Sequence, residues 1–197
     1  LMIDEAHSLG VIGKCGGGIG EHFGVDPTDV DIWMGTLSKS LAGRGGYIAG
    51  SRELSEYCRY TVPGFVFSVG LSPPLAAAAL AALRILRREP QRVSQLQERA
   101  TMLLEAVRKM GFDTGSSQGT AVIPIIVGKT ASAVRLFRFL QERGVLALPV
   151  LHPIVPEGTA RLRFFVSSTH TEKQIRHTMG VLSEAKERSE TTTGGAP

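Results

Sequence analysis

Asp4, His7, Thr36 and Lys39, with the glycines that follow Lys39, are the residues of this chain whose types and spacing could do chemistry together. Asp4 closes an apolar run, Leu-Met-Ile-Asp, that reads as a buried strand. Lys39 follows a second apolar run and a polar turn, Gly35-Thr-Leu-Ser-Lys39. Open α/β sheets bind ligands beyond the carboxyl ends of their strands, which is where both residues are expected. A carboxylate can hold the proton of a pyridine-type ring nitrogen, so that the ring takes up electrons from a carbanion. A lysine amine can join an aldehyde as a Schiff base. Hydroxyl and backbone donors can take a phosphate. The set suits a cofactor that carries a ring nitrogen, an aldehyde and a phosphate.

The elements that must position these residues follow from pattern. Ser8–Gly24 reads as a glycine-laden loop with one helical turn near Gly20–Phe23, and Asp29–Met34 as a second buried strand. Gly45–Ala49 is a short strand, Ser51 caps a helix through Tyr60, and Phe65–Phe67 is another short strand. Ser72-Pro-Pro starts a helix, with proline tolerated in the first turn, through Arg88. A further helix carries Val93, Leu96, Ala100, Leu103 and Val107 at the spacing of one face. Alternation of strand and helix follows: strand Ala121–Val127, helix Thr130–Arg143, strands Val145–Leu148 and Arg161–Val166, helix Thr171–Glu187.

Composition bounds the function. The chain has 197 residues and 22 Lys+Arg against 18 Asp+Glu, a net charge of +4, with the basic residues scattered rather than clustered. A nucleic-acid footprint would need clustering. The longest apolar run, Leu75–Leu83, is less than half the roughly 20 residues of a membrane span. Two cysteines, Cys15 and Cys58, make neither a disulfide framework nor a metal quartet. A cytoplasmic protein with no nucleic-acid partner, membrane span or metal is expected. Twelve of the 23 glycines fall between Gly10 and Gly50, which points to tight turns or close approach to a ligand.

Two short motifs point elsewhere and fail. Asp4-Glu-Ala-His7 matches the acidic motif of DEAH-type helicases, and Val127-Gly-Lys-Thr130 the tail of a P-loop. A P-loop needs a glycine five residues before Gly128, where Ile123 stands, and it should precede the acidic strand rather than follow it. Lys129 is read as a solvated turn lysine.

Several separated motifs, in order, carry a resemblance. Asp4-Glu-Ala-His-Ser8 is followed by Gly-Val-Ile-Gly, and Gly35-Thr-Leu-Ser-Lys39 by Gly45-Gly46. Phe65-Val-Phe-Ser68, Leu71-Ser-Pro-Pro74 and Gly158-Thr-Ala-Arg-Leu-Arg163 come after them. Over residues 1 to about 188 the chain resembles the carboxyl-terminal half of the α-oxoamine synthase family. The resemblance implies an α/β protein of the aspartate-aminotransferase-like fold (fold type I). It implies pyridoxal 5'-phosphate as cofactor and a homodimer with its active site at the subunit interface. The implied activity is condensation of an amino acid with an acyl thioester, from acyl-CoA or an acyl-carrier protein, with decarboxylation to an α-amino ketone. An aminotransferase or lyase of the same fold, or a non-catalytic partner subunit, is the alternative.

Position by position, the resemblance implies that Asp4 pairs with the ring nitrogen and His7 with the ring's phenolic oxygen. It makes Lys39 the Schiff-base lysine and the base that moves the α-proton, its pKa lowered by burial and the cofactor. Thr36 would reach the phosphate, Ser68 the phosphate of the neighbouring subunit, and Arg163 the amino-acid carboxylate. Plainer readings stand beside these: Asp4 capping the next turn, His7 and Thr36 as ordinary loop residues, Ser68 as a strand-end serine, Arg163 in a surface ion pair. Alternation puts Arg161 and Arg163 on one face of a strand, and choosing Arg163 rests on the resemblance.

The sequence departs from the family's pattern at Gly16-Gly-Gly18, which lacks an arginine at Gly17, and at Ala42, where a glycine is frequent. A strand at the first residue predicts a fragment without its N-terminal part. Within it, residues 1–95 are expected to complete the cofactor-binding large domain, 96–188 to form the small α/β domain, and 189–197 a flexible tail.

Overall fold

The computed structural model describes residues 1–193. Contacts divide the chain into two units, Leu1–Ser94 and Gln95–Pro197, each with its own three-stranded sheet.

In the first unit β1 (Met2–Asp4) runs parallel to β2 (Ile32–Thr36), and β2 pairs antiparallel with β3 (Gly46–Gly50). The loop between β1 and β2 holds α1 (Ile19–Phe23) and a 3₁₀ turn, Pro27–Asp29, whose capping Asp26 accepts from the Thr28 amide at 2.8 Å. That turn takes Asp29, the residue expected to begin β2, and the strand starts at Ile32 and runs on to Thr36. After β3, the Ser51 hydroxyl accepts from the Leu54 amide at 3.2 Å and opens α2 (Arg52–Thr61). Then come α3 (Pro63–Val66) and α4 (Pro73–Arg88). Leu37 and Leu41, four residues apart, are buried with Ala79 of α4, with Leu9, Tyr47 and Ala82 packed against them. This cluster anchors the loop after β2 from beneath.

Two expectations fail here. The Phe65–Phe67 segment is not a strand: Pro63 presets the first helical φ, and the Val66 and Phe67 amides donate to Val62 and Pro63 carbonyls at 2.9 and 3.0 Å. No neighbouring strand among the described residues offers the segment a ladder. β1 is not buried either. It is the sheet's edge, and Leu1 and Met2 are 72% and 54% exposed.

Helix α5 (Gln91–Lys109) leads into the second unit, where β4 (Val122–Gly128), β5 (Leu148–Val150) and β6 (Ala160–Phe165) form an antiparallel sheet with β6 central. Helices α6 (Thr130–Gln141) and α7 (Glu172–Thr193) complete it. Ala160, Leu162 and Phe164 of β6 are buried with Ile123 and Ile125 of β4, as alternation requires. Arg161 and Arg163 take the other face. β5 begins later than the hydrophobic pattern suggests. Val145 and Ala147 are buried by side-chain packing, and the Val145 amide turns back to the Leu140 carbonyl at 2.9 Å instead of joining the ladder. Helix α7 continues to Thr193, into the expected tail, and residues 194–197 lie outside the described residues. Among the described residues, no helix is long and apolar enough to cross a membrane, and no cluster of His, Cys, Asp or Glu could hold a metal.

Candidate functional site

The carboxyl ends of two neighbouring parallel strands meet in the first unit. Asp4 is opposite Met34, and the Glu5 amide extends the pairing to the Met34 carbonyl at 2.7 Å. One Asp4 carboxylate oxygen accepts from the Ala6 amide at 2.7 Å. Capping the next turn thus engages one oxygen of this exposed carboxylate. His7 is exposed in the turn that follows, where the Ser8 and Leu9 amides both donate to the Glu5 carbonyl at 3.1 Å.

Two residues beyond Met34, the Thr36 hydroxyl donates to the Gly45 carbonyl at 3.1 Å and lies 2.8 Å from the Ser38 hydroxyl. Thr36 thus buckles the loop that carries Lys39. Leu37 and Leu41 bury the loop's underside, so Lys39 stands on its exposed side, unpaired among the described residues. The burial expected around Lys39 is absent. The turn bearing His7 and the loop bearing Lys39 touch: the Ser40 hydroxyl donates to the Leu9 carbonyl at 2.8 Å. Gly10, at φ +77°, has no room for a side chain, since a Cβ would sit 2.7 Å from Ser40. Ala42 completes the loop in the left-handed region, at φ 54°, where a glycine would rest without strain.

A residue not singled out by sequence, Glu5, organises the glycine-rich side of this site. It is 5% exposed, and its carboxylate accepts from the Ile19 and Gly20 amides at 3.0 and 3.2 Å. Gly18, at φ +95°, must be glycine because a Cβ there would lie 2.4 Å from a Glu5 oxygen. Glu21 holds the same loop from outside, accepting from the Cys15 and Gly17 amides at 2.8 and 2.7 Å. Those bonds, Cys15's first, keep its carboxyl below the usual carboxylate range. Burial, then the Glu5 charge, pushes the Tyr47 phenol up. Nothing local marks Glu5, because its partners are amides more than a dozen residues away.

Two candidates remain, Ser68 in the first unit and Arg163 in the second. Ser68 follows α3 in an exposed segment, and its hydroxyl accepts from the Gly70 amide at 3.1 Å, a bond within the segment. Arg163 belongs to the second unit, on the face of β6 opposite the core, across from Pro124. Its guanidinium lies 5.5 Å from the Phe165 ring centroid. Its Nε is buried without a hydrogen-bond partner, whereas the Arg161 Nε donates to the Thr159 carbonyl at 3.0 Å. Lys129 is exposed at the start of α6, as a turn lysine should be.

The donor chemistry of the first unit fits a cofactor with ring nitrogen, aldehyde and phosphate. It offers the Asp4 carboxylate, with one oxygen engaged by the Ala6 amide, the exposed Lys39 amine, and the Thr36 and Ser38 hydroxyls at one sheet end.

The family described as aminotransferase class I and II matches residues 1–182. The chain is 39% identical over 184 residues to an 8-amino-7-oxononanoate synthase of Pseudomonas putida, covering 93% of this chain and 47% of that protein. A serine palmitoyltransferase of Sphingomonas wittichii superposes with a TM-score of 0.87 at 30% identity, covering 100% of this chain and 48% of that one. Another, solved with pyridoxal phosphate as internal aldimine, gives a TM-score of 0.88 at 27% identity over 95% of this chain and 47% of that one. The chain spans about half the length of the relatives it matches. These likenesses bear out the resemblance to the α-oxoamine synthases and the fold type I architecture.

Proposed function

The chain belongs to the aminotransferase class I and II family, and from that premise we propose that it serves a pyridoxal-phosphate-dependent C-acyltransferase of the α-oxoamine synthase type. The reaction is condensation of an amino acid with an acyl thioester, from acyl-CoA or an acyl-carrier protein, with loss of CO₂ to give an α-amino ketone. The enzyme acts as a homodimer. One observation carries the reading: Asp4 and the Lys39 loop stand at the carboxyl ends of adjacent parallel strands, their turns joined by the Ser40–Leu9 bond.

Bound pyridoxal phosphate would supply an electron sink for the carbanion formed at the amino-acid α-carbon. Asp4 holds the ring nitrogen's proton with the carboxylate oxygen that Ala6 leaves unshared. Lys39 would hold the aldehyde end of the cofactor, and its amine would carry the α-proton away from and back to substrate. His7 offers a ring nitrogen to the cofactor's phenolic oxygen. Thr36 gives up its bond to Gly45 to reach the phosphate, and Ser68 serves the phosphate of the partner subunit. Arg163 takes the amino-acid carboxylate with the Nε that nothing among the described residues satisfies.

Borohydride reduction of the cofactor-loaded protein, followed by peptide mapping, should place the label on Lys39, and Lys39→Ala should lose it while keeping the fold. A label on Lys14, Lys109 or Lys129 overturns the assignment. A panel of glycine, alanine and serine against short and long acyl-CoAs should release free thiol. A 2-oxo acid without thiol would make the enzyme an aminotransferase.

A further inference from the structure

The face of β6 that carries Arg163 borders a groove of about 540 Å³ in the second unit. Its far wall is the Ser/Thr-rich loop 114–120, and its floor includes Pro124 and Ile126 of β4. Two arginines, Arg161 and Arg163, line it, and no acidic residue does. Ser117 lines it as well, and the Ser117 hydroxyl, like the Arg163 Nε, is buried without a hydrogen-bond partner among the described residues. A buried donor left unmade is costly, and here two of them border one basic groove.

The loop is built to hold Ser117 still. Arg108 donates to the Thr114 hydroxyl at 3.1 Å and to the Ser117 carbonyl. The Ser117 amide donates to the Thr114 carbonyl at 3.2 Å, and the Asp113 carboxylate accepts from the Gly115 amide at 2.8 Å. Both backbone groups of Ser117 are therefore committed, and its hydroxyl alone remains to offer. Arg161 has its Nε committed to Thr159. Two buried donors of the groove have no partner among the described residues, an N–H from one wall and an O–H from the other, and together they match the two oxygens of a carboxylate.

We propose that Ser117 is a second ligand of the carboxylate held by Arg163. The loop 114–120 and strand β6 then form a two-point receptor that sets affinity for the amino acid. The proposal rests on the reading of Arg163 as the carboxylate clamp and adds a binding residue to it.

The test follows the arginine Nε–H resonances of the ¹⁵N-labelled 197-residue chain by NMR, with Arg163→Lys assigning the signal and sodium acetate as the probe. Acetate should move the Arg163 resonance saturably and leave that of Arg161 in place. Ser117→Ala should weaken the acetate response about tenfold, the loss of one hydrogen bond to a charged group. Ser117→Thr, which keeps the hydroxyl, should bind acetate as the parent does, so a general loosening of the loop by substitution is told apart. Equal acetate affinity in the parent and Ser117→Ala overturns the role of Ser117 while leaving the clamp. An Arg163 resonance that ignores acetate in the parent overturns the clamp itself. A response to inorganic phosphate stronger than to acetate overturns the carboxylate as the ligand class.

Discussion

Replacing Glu5 by alanine should detach the glycine-rich loop from the end of β1. The carboxylate is buried and accepts from two amides, Ile19 at 3.0 Å and Gly20 at 3.2 Å, with Gly18 pressed against it. Alanine leaves both N–H groups without their acceptor in a site shielded from water. An unsatisfied buried amide costs about 1–3 kcal/mol. Ile19 and Gly20 are only half-buried, so water recovers part of that, and the loss for the pair is about 2–4 kcal/mol. This is a large share of the roughly 5–15 kcal/mol that holds a domain folded. The chain carries its own reporter, because Trp33 is the one tryptophan. Its ring lies so close to Gly20 that a Cβ there would be 2.9 Å away. Urea unfolding followed by Trp33 fluorescence should show a lower midpoint for Glu5→Ala, and emission shifted to the red before the main transition as the loop lifts. Glu5→Gln keeps one acceptor oxygen and should lose about half as much. A Glu5→Ala midpoint within about 0.5 kcal/mol of the parent, with unchanged emission, would show that water replaces the carboxylate and that Glu5 does not hold the loop.

Ala42→Gly should stabilise the protein. The left-handed backbone at φ 54° costs an L-residue about 1–2 kcal/mol, and the extra freedom glycine has when unfolded returns about 0.5–1 kcal/mol of that. A net gain near 0.5–1 kcal/mol raises Tm by a few degrees, and a fall in Tm would show the loop unstrained. Glu21 makes the glycine loop sensitive to acid. Because its folded pKa is depressed by the Cys15 and Gly17 amides, its contribution is complete above the ordinary glutamate value. It drains away as pH falls through the lower folded value. Urea midpoints should therefore drop below about pH 4.5, and Glu21→Gln should flatten that limb; an equally steep limb in Glu21→Gln would place the acid sensitivity elsewhere.

What the sequence determined by itself is what depends on near neighbours along the chain. Alternation at Ala160–Phe165 put Arg161 and Arg163 on one face, and the 3–4 spacing from Leu96 to Val107 made one apolar side of α5. Apolar runs ending in Asp4 and leading to Lys39 placed Asp4 at a strand end and Lys39 in the loop beyond another, because a strand's direction and its last residue are local properties. Register and partner choice are not local. Only tertiary structure showed that the segment at Phe65 finds no ladder and turns as a helix, or that β1 lies at a sheet edge with Leu1 and Met2 exposed. It also set Lys39 on the open side of a loop whose two leucines face inward. It gave two arginines that the pattern treats alike different surroundings: the Arg161 Nε donates to the Thr159 carbonyl, and the Arg163 Nε is buried with no partner among the described residues. Glu5 and Ser117 carry no sequence signal for the same reason. The meaning of a buried polar side chain lies in which distant donors and acceptors the fold brings to it, and those are fixed by packing rather than by spacing along the chain.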